Sequence, residues 1–314
     1  MKQYIHIIAA LTLLLVASCT RDDDFVAPAF LHVEAIKVVP PESNPITLES
    51  GFYTSDITAV YVTAHYPGTN HLDTLGLFEL PFTVPILHSG EIDYLEFFPA
   101  IKQSGVAGAQ PFYTFYKPIT VRKSNIRVGD TVYMDTLFTR SGDTLRLDTL
   151  STTYAISLSD VLMFELFEPT SSSLLFDSVT WHKHAPAEAC SGQGYASVHV
   201  PDSVSNVPFS IRPEFTLTNP SKLLYLELDS RSDIRFEVYM EAAYEDGGNT
   251  DVQRVMVVNP SDHWQHLYIN LGRTWSWFNH SKNFRISFAA LNVNGIEGDI
   301  RIDNVKLLST SVVF

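Results

Sequence analysis

Apolar and polar residues alternate along most of this chain, and the alternation predicts β-strands. Residues 31–39 alternate and stop at two prolines, while residues 57–63 are rich in β-branched and aromatic side chains. A period of two places one apolar face against a core and one polar face in solvent. The pattern recurs at residues 74–80 and 92–98. We therefore expect an all-β fold from residue 30 onward.

Two further alternating segments predict a hairpin that follows the first domain. Residues 130–138 and 143–150 place Asp-Thr pairs between apolar positions, and residues 140–142 can turn between them. The aspartates lack the spacing of a calcium-binding loop. We expect residues 126–168 to form this β-hairpin and a connector. Within the connector, the period of residues 158–167 does not distinguish a short helix from a strand.

The second half of the chain consists of short alternating segments at regular spacing. They predict successive strands between residues 194 and 308. Many short strands in sequence are typical of a sandwich or a jelly roll. A length of 314 residues also favours two domains, each with its own core. We expect these domains at residues 30–125 and 169–314.

A resemblance to a known module covers roughly residues 50–102. Gly76, Pro81 and Gly90 follow a strand and a loop in an order that resembles PEGA-type modules, the small Ig-like sandwiches of bacterial envelope proteins. A longer loop at residues 65–73 stands where that family has a Val-Asp-Gly turn. The resemblance implies an Ig/PEGA-like sandwich that serves as a scaffold or a ligand-contact domain.

The end of the second domain carries another resemblance. Trp264 lies in a turn, and strand-like segments follow at residues 267–271, 284–288 and 300–307. This order resembles the C-terminal half of galactose-binding-like jelly rolls, a fold that carbohydrate-binding modules share. In that family the aspartate of the last strand, here Asp303, often helps to hold a structural calcium ion. The resemblance implies a jelly roll and makes Asp303 a candidate calcium ligand.

The first residues are typical of an export signal. Lys2 precedes an apolar run over residues 5–16, which is too short for a mature membrane span. The sequence Val-Ala-Ser-Cys that ends at Cys19 resembles a bacterial lipobox. That resemblance implies removal of residues 1–18 as a lipoprotein signal peptide and acylation of Cys19. An ordinary cleaved signal with an incidental cysteine is the alternative.

Three aspartates follow the cysteine and suggest where the protein resides. Asp22, Asp23 and Asp24 resemble the acidic export signal of Bacteroidota-type surface lipoproteins. They lie in a linker of residues 19–29. The resemblance implies a lipid-anchored outer-membrane protein that is exposed at the cell surface. A solvated spacer is the alternative interpretation of these charges.

The acidic balance of the chain limits its partners. The sequence has 21 Lys and Arg against 35 Asp and Glu, for a formal net charge of −14 at pH 7. Such a charge repels nucleic acids and anionic lipid head groups. Beyond Cys19 the only cysteine is Cys190, which leaves no partner for an internal disulfide. We expect a tethered folded body that binds no nucleic acid.

No residue pattern in the sequence predicts catalysis. A Gly-x-Ser-x-Gly elbow, a His-Glu-x-x-His motif and a Gly-rich phosphate loop are all absent from it. Cys190 lacks the signature of a nucleophile, and His182 and His184 lack a recognisable third metal ligand. His263 and His266 are expected at a turn and at the rim. We expect no enzymatic activity and no cofactor, apart from the calcium ion mentioned above.

Two aromatic clusters are candidate contact surfaces. The members of the first are Phe112, Tyr113, Phe115 and Tyr116, and those of the second are Trp275, Trp277, Phe278 and His280. The first cluster is either a strand that closes a sandwich or an exposed surface for a protein partner. The second lies in a loop, where rings can stack on sugars. Its two tryptophans would point the same way if the loop is extended, or would fill the end of the core.

These features support two hypotheses about function. The first is a non-enzymatic, surface-exposed outer-membrane lipoprotein that acts as a binding or accessory subunit of an envelope complex, with an outer-membrane barrel protein as its partner. The second is a glycan-binding lipoprotein that serves polysaccharide capture. In both, the lipid on Cys19 holds a binding surface at the membrane.

Overall fold

Strands make up most of the chain that the structure describes, as the alternating pattern predicts. The computed structural model describes residues 27–41, 50–66, 68, 72–87, 92–106, 108–123, 131–134, 137, 142–168, 182–184, 188–211, 214–217, 223–243, 250–278, 283–292 and 295–310. Cys19, the three aspartates at positions 22–24 and His280 lie outside these residues. The expected all-β fold is confirmed.

The N-terminal half contributes eight described strands and one 3₁₀ turn, Ser50–Tyr53. The strands are β1 (Ala29–Val38), β2 (Ala59–His65), β3 (Leu72–Glu79), β4 (Phe82–Ile86), β5 (Tyr94–Ala100), β6 (Ile119–Lys123), β7 (Thr131–Met134) and β8 (Thr144–Thr152).

The C-terminal half contributes eleven described strands, together with the 3₁₀ turn Leu158–Asp160 and the short helix α1, Gly272–Trp275. The strands are β9 (Val161–Glu165), β10 (His182–His184), β11 (Tyr195–Val200), β12 (Asn206–Ser210), β13 (Phe215–Thr216), β14 (Leu223–Ser232), β15 (Phe236–Ala243), β16 (Thr250–Val258), β17 (Ser261–Asn270), β18 (Asn283–Leu291) and β19 (Gly298–Thr310). No helix among the described residues has the length and apolar character needed to cross a bilayer.

Strands β1 to β8 form the N-terminal sandwich. One sheet has the order β4-β1-β8, and the other has the order β3-β2-β5-β6-β7. Leu31 and Val33 of β1 and Val60 and Val62 of β2 are buried in one core, because each lies on the apolar face of its strand. The architecture is a β-sandwich, and the PEGA-type assignment stays a prediction.

The predicted hairpin of residues 130–138 and 143–150 is wrong. Strand β7 pairs in parallel with β6, whereas β8 pairs in parallel with β1 in the other sheet. Leu145, Leu147 and Leu150 of β8 are buried in the N-terminal core. Strand β8 therefore belongs to the N-terminal sandwich through its pairing with β1.

Strand β9 belongs to the second half of the molecule. It pairs antiparallel with β19, from Glu165 opposite Val305 to Val161 opposite Leu308. The segment of undecided period at residues 158–167 thus contains a 3₁₀ turn and then a strand. The connector predicted at residues 126–168 is divided between the two sandwiches, while the proposed domain limits stay predictions.

Strands β9 to β19 form the C-terminal sandwich. One sheet has the order β10-β11-β19-β14-β17 with β9 also on β19, and the other has the order β12-β18-β15-β16 with β13 also on β18. All of these pairings are antiparallel. Leu226 and Leu228 of β14 face Phe236, Val238 and Phe288 of the opposite sheet in a shared core. The predicted jelly-roll fold is confirmed.

The N-terminal sandwich covers the outer face of one C-terminal sheet. Tyr225 and Tyr268 lie on that face and belong to the N-terminal core, not to the core of their own sandwich. The ring of Tyr113 lies 5.1 Å from that of Tyr225 and 5.0 Å from that of Tyr268, centroid to centroid. The turn at residues 103–105 adds a backbone bond, from Ser104 N to the carbonyl oxygen of Tyr268 at 2.8 Å. The two sandwiches therefore share a buried interface.

Candidate functional site

A charged cluster lies in the interface between the two sandwiches. Its members are Glu227 and Asp229 on β14, His266 on β17 and Lys306 on β19, and we call it the interface cluster. Strand register brings the members together, because Glu227 lies opposite Lys306 and Asp229 lies opposite His266. Both Glu227 and Lys306 are fully buried, at 0% exposure. Charged residues are almost never found so deep without partners.

Glu227 accepts hydrogen bonds from both sandwiches. Lys306 Nζ lies 2.8 Å from its Oε2 atom. The hydroxyl groups of Tyr113 and Tyr154, which come from the N-terminal half, donate to its two oxygens at 2.6 Å each. Because a carboxylate offers several lone pairs, one side chain can hold three donors on three different segments. Glu227 thus joins β19 and two N-terminal segments to β14.

Lys306 is satisfied in the same way. Its ammonium group donates to the carbonyl oxygens of Phe52 and Thr54, at 2.9 Å and 3.3 Å, and to the hydroxyl of Tyr154 at 2.8 Å. It also lies 5.4 Å from the centre of the Phe52 ring, within range of a cation–π interaction. The 3₁₀ turn Ser50–Tyr53 is therefore held against the C-terminal sandwich through this lysine.

The two carboxylates and the imidazole of the interface cluster stabilise one another's charged forms. Burial alone would raise the pKa of Glu227, but Lys306 and His266 overcome it and lower this pKa from 4.5 to about 2. Burial alone would lower the pKa of His266, but the Asp229 and Glu227 carboxylates raise it above its usual value. His266 Nδ1 lies 2.8 Å from Asp229 Oδ1. The prediction that His266 lies at the rim is therefore wrong, because its charge partners hold it in the interface.

Asp303 is buried beside this cluster and binds backbone groups. Its Oδ2 atom accepts from the N–H groups of Cys190 and Ser191, at 3.1 Å and 3.3 Å, and Oδ1 accepts from the N–H of Asn304 at 2.8 Å. Burial raises the pKa of Asp303 to about 8 against the effect of these donors and with help from Asp229. Burial also raises the pKa of the Cys190 thiol, which leaves little thiolate at neutral pH.

This arrangement does not fit a calcium site. The carboxylate oxygens of Asp303 already accept three N–H groups, and such donors would point at a bound cation. Among the residues that the structure describes, no group of three His, Cys, Asp or Glu side chains is placed to hold a metal ion. Asp303 acts here as an anchor for the loop at residues 190–191, and calcium binding stays a prediction.

A cleft of about 980 Å³ lies next to the interface cluster. Asp229, His266 and Cys190 line its floor. One wall comes from the N-terminal sandwich and includes Lys37, Tyr53, Thr54, Ser55, Asp56, Lys102 and Ser104. The other wall comes from β16, β17 and the loop between them, and includes Asn259, Pro260, His263, Trp264 and Gln265. We call this space the inter-sandwich cleft.

Trp264 is held in place on the C-terminal wall. It shares one face of β17 with His266 and Tyr268, since alternate residues of a strand point the same way. Its indole N–H donates to the carbonyl oxygen of Glu188 at 3.0 Å, and its ring meets that of Tyr195 edge-on at 5.9 Å. The side chain is half-buried. The cleft therefore has a positioned aromatic ring beside the polar groups of His263 and Gln265.

The N-terminal wall is fixed by the Tyr268 hydroxyl. This group accepts from the backbone N–H of Asp56 at 3.0 Å and lies 3.0 Å from the Tyr116 hydroxyl. Both hydroxyls are buried, which raises the pKa of Tyr116 and of Tyr268 well above the usual value. The tyrosines are therefore neutral hydrogen-bonding groups, and they set the position of residues 53–56 relative to β17.

The structure separates the members of the first aromatic cluster. Phe112 is 42% exposed, whereas Tyr113, Phe115 and Tyr116 are buried in the interface. These residues form a turn and not a strand, and the Tyr116 N–H donates to the Tyr113 carbonyl at 3.0 Å. The expectation of a strand that closes a sandwich is therefore wrong. A turn allows the rings of Tyr113, Phe115 and Tyr116 to point toward the same neighbouring sheet.

The second aromatic cluster is also divided. Trp275 and Phe278 are buried at 5% and 4% exposure in the C-terminal core, while Trp277 is 57% exposed. Helix α1 replaces the extended loop, so Trp275 and Trp277 do not point the same way. Arg273 lies 5.7 Å from the Trp277 ring centre. Trp264 lies near the start of β17 and Trp277 lies after its end, so the half-buried and the exposed indole do not share a site.

Sequence reasoning did not identify the residues that hold the interface. Glu227 and Asp229 alternate with leucines in β14, a pattern that is typical of a strand with a solvent-facing side. Lys306 follows the same rule in β19. No local signal marks a polar face as covered by a distant segment. Three tyrosines at positions 113, 116 and 154 were the available hint, since buried hydroxyl groups require polar partners.

Comparisons with known proteins place no part of the sequence in a described family. No family model and no curated protein matches it. Solved structures that resemble part of this chain include the CBM22-1 xylan-binding domain from Paenibacillus barcinonensis Xyn10C, at 11% identity and a TM-score of 0.35 over 49% of this chain and 97% of that one. A family 30 carbohydrate-binding module gives 15% identity and a TM-score of 0.37 over 49% and 91%.

A mannohexaose complex of a CBM29-2 variant gives 17% identity and a TM-score of 0.30 over 47% of this chain and 92% of that one. At such TM-scores and identities, nothing about a ligand or a role follows from these structures.

Proposed function

We propose that this protein is a non-catalytic binding protein that takes up a glycan in the inter-sandwich cleft. The observation that carries the proposal is the cleft itself, an open space of about 980 Å³ between two sandwiches whose contact is fixed by buried charges. Binding sites occur preferentially between domains, and this volume lies in the range of known ligand sites. A fixed interface gives the cleft a fixed width, which lowers the ordering cost of binding.

The chemistry of the walls favours a sugar. Pyranose rings present an apolar face and a rim of hydroxyl groups, so they need an aromatic ring beside several hydrogen-bonding groups. Trp264 supplies the ring on one wall, and Tyr53 lies on the other. His263, Gln265 and Asn259 supply donors and acceptors between them. A purely apolar ligand would leave these polar groups without partners.

The two carboxylates of β14 beside the cleft do not form a catalytic acid–base pair. Glu227 and Asp229 are ionised and fully engaged with Lys306, His266 and tyrosine hydroxyls. A general acid needs a carboxyl group that holds its proton near neutral pH, and a pKa of about 2 for Glu227 excludes that role. These side chains support the walls, which is why we propose binding without catalysis.

The experiment compares two tryptophan substitutions on a glycan array and by calorimetry. Trp264→Ala should remove at least nine-tenths of the binding to any glycan that the native protein retains, because it deletes the positioned ring. Trp277→Ala is the matched control, since that indole is exposed and is not among the residues that line the cleft, and this variant should bind glycan normally. Thermal unfolding of both variants checks that the fold persists. Loss of binding with Trp277→Ala alone would contradict the proposal, as would a native protein that binds no glycan.

The proposed position of this binding site is the outer surface of a bacterial outer membrane. The support is the lipobox that ends at Cys19 and the aspartates at positions 22–24, all of which lie outside the described residues. Three acyl chains would anchor the body firmly, since each buried methylene contributes about 0.8 kcal/mol. Cys19→Ala should release the protein from membranes in a fractionation assay. Protease treatment of intact cells should degrade the native form, and survival of that form would contradict surface exposure.

A second candidate function is that of an accessory subunit in an envelope complex. The exposed ring of Phe112 favours it, because this ring lies 6.1 Å from Tyr61 and 6.3 Å from Phe98 on the outer face of β2 and β5. Purification of the tagged protein in mild detergent should then recover an outer-membrane barrel protein, and Phe112→Glu should abolish the recovery. Recovery of a monomer alone from native membranes would exclude this candidate.

A further inference from the structure

Two lysines without a partner among the described residues line the inter-sandwich cleft of this acidic protein. Lys37, at the end of β1, and Lys102, after β5, are exposed and line the N-terminal wall of the inter-sandwich cleft. Within the part of the chain that the structure describes, neither ammonium group has a hydrogen-bond or ion-pair partner. The chain as a whole has a net charge of −14, so carboxylates that could pair with lysines are abundant.

Several other cations among the described residues are paired with carboxylates. Arg285 pairs with Glu214 at 2.9 Å, Arg301 pairs with Asp299 at 3.1 Å, and Arg254 pairs with Glu237 at 2.7 Å. In the cleft, by comparison, Asp56 is the one exposed carboxylate among the described lining residues. The other lining carboxylate, Asp229, is buried and neutralised by His266. The exposed charged groups on the N-terminal wall of the cleft are therefore two ammonium groups and one carboxylate.

We infer that the cleft takes an acidic glycan, one that carries carboxylate or sulfate groups. The inference rests on the proposed glycan-binding function and names the ligand class. An ammonium group in a cleft with low-dielectric walls attracts an anion more strongly than one on an open surface. The acidic exterior of the protein would still repel long polyanions such as nucleic acids, whereas a short acidic oligosaccharide could bind within the cleft beside Lys37 and Lys102.

The geometry also assigns separate tasks to the two walls. The C-terminal wall carries Trp264, Gln265 and His263, which suit the ring and hydroxyl groups of a sugar. The N-terminal wall carries the two lysines, which suit its acidic substituent. Neither sandwich alone holds both sets. The acidic glycan therefore bridges the walls, and this arrangement explains why the interface between the sandwiches is so firmly fixed.

The test uses matched probes that differ in charge. Oligogalacturonate and its methyl ester share one backbone, as do a sulfated galactan oligosaccharide and its desulfated form, and all four are titrated into the full-length folded body by calorimetry. We expect the acidic member of at least one pair to bind at least tenfold more tightly than its neutral counterpart. Lys37→Gln and Lys102→Gln should each weaken that binding about three- to tenfold, and raising the salt concentration should weaken it further.

A control variant separates the role of the cleft from that of net charge. Arg146→Gln removes one positive charge from an exposed position on β8 and should leave binding unchanged. Equal affinity for acidic and neutral probes, or lysine variants that bind like the native protein, would overturn this inference and leave the proposed glycan-binding function intact. A failure of all four probes and of a wider array of acidic and neutral glycans would overturn both.

Discussion

The two outer faces of the C-terminal sandwich have similar sequence patterns and opposite environments. On the face of β14, β17 and β19, charged residues alternate with leucines and lie buried beneath the N-terminal sandwich. On the face of β15, β16 and β18, which we call the open face, Arg254 and Glu237 form an ion pair in which the arginine side chain is 60% exposed. One face holds the molecule together, and the other meets solvent.

The difference shows that the same charged residue types affect stability differently when they are buried and when they are exposed to solvent. An ion pair in water contributes little, because solvent screens it and the long side chains lose freedom. An ion pair away from water costs desolvation free energy to form. Removing one partner costs more, because it leaves the other charge buried and uncompensated. The interface cluster therefore holds the two sandwiches in one specific arrangement, while the open face provides charge and solubility.

The largest effect expected from this comparison concerns Lys306. Lys306→Met leaves the fully buried Glu227 carboxylate without its nearest cation and should lower the free energy of unfolding by about 3–5 kcal/mol. Equilibrium unfolding in urea measures it. The double variant with Glu227→Gln should recover much of the loss, because it removes the uncompensated charge. If Lys306→Met lowers the free energy of unfolding by 1 kcal/mol or less, roughly what an exposed ion pair contributes, then the interface cluster does not hold the two sandwiches together.

Acid should weaken the stabilisation that the interface cluster provides. The pKa of Glu227 is lowered from 4.5 to about 2, so the stability that its carboxylate contributes is fully present above pH 4.5 and is lost as the pH falls toward 2. This difference corresponds to about 3 kcal/mol. Between pH 5 and pH 2, the free energy of unfolding should decrease more steeply with falling pH for the native protein than for the Glu227→Gln, Lys306→Met double variant. Parallel curves would show that Glu227 is not the group responsible.

A glycine at the interface gives an intermediate test. A Cβ atom on Gly51 would lie 2.3 Å from Asn304 Oδ1, and Asn304 cannot move freely because its Nδ2 atom donates to Asp229 at 2.7 Å. Gly51→Ala should therefore cost about 1–3 kcal/mol in thermal or urea unfolding. Gly108→Ala is the control, since a Cβ there has no neighbour within 4 Å among the described atoms. Equal stability of the two variants would mean that Gly51 is not tightly docked.

The smallest effect is expected on the open face. Arg285 pairs with Glu214 at 2.9 Å, and both side chains are more than 40% exposed. Arg285→Ala should change the free energy of unfolding by about 1 kcal/mol or less, and high salt should remove the difference. A loss as large as that of Lys306→Met would erase the distinction between the two faces.

Alternation along the chain was sufficient to predict the all-β class and most strands, because one buried and one polar face impose a period of two on any sandwich. It failed where partners lie far apart in sequence. Strand β8 looks like a hairpin partner of β7, and only the parallel pairing of Leu31 with Leu145 reveals its place beside β1. Local pattern does not encode that choice.

The site was less accessible to sequence reasoning than the fold. Trp264 and Asp303 stood out in the C-terminal motif, but the motif did not reveal that Trp264 lines a cleft. Lys306 lies 252 residues from Thr54, whose carbonyl it binds, and no periodicity links such distant positions. A cleft between two sandwiches depends on how they dock, and docking depends on side chains that each strand presents as an ordinary polar face.

Hydrogen–deuterium exchange with a bound glycan tests the central claim most directly, because it reports where on the folded protein the ligand lies. With the tightest-binding oligosaccharide from the array, exchange should slow at residues 53–56 and 102–105 on one wall and at residues 259–265 on the other. The open face, at residues 237–241 and 285–289, should be unchanged. Protection confined to the open face, with both walls unaffected, would contradict a binding site between the two sandwiches.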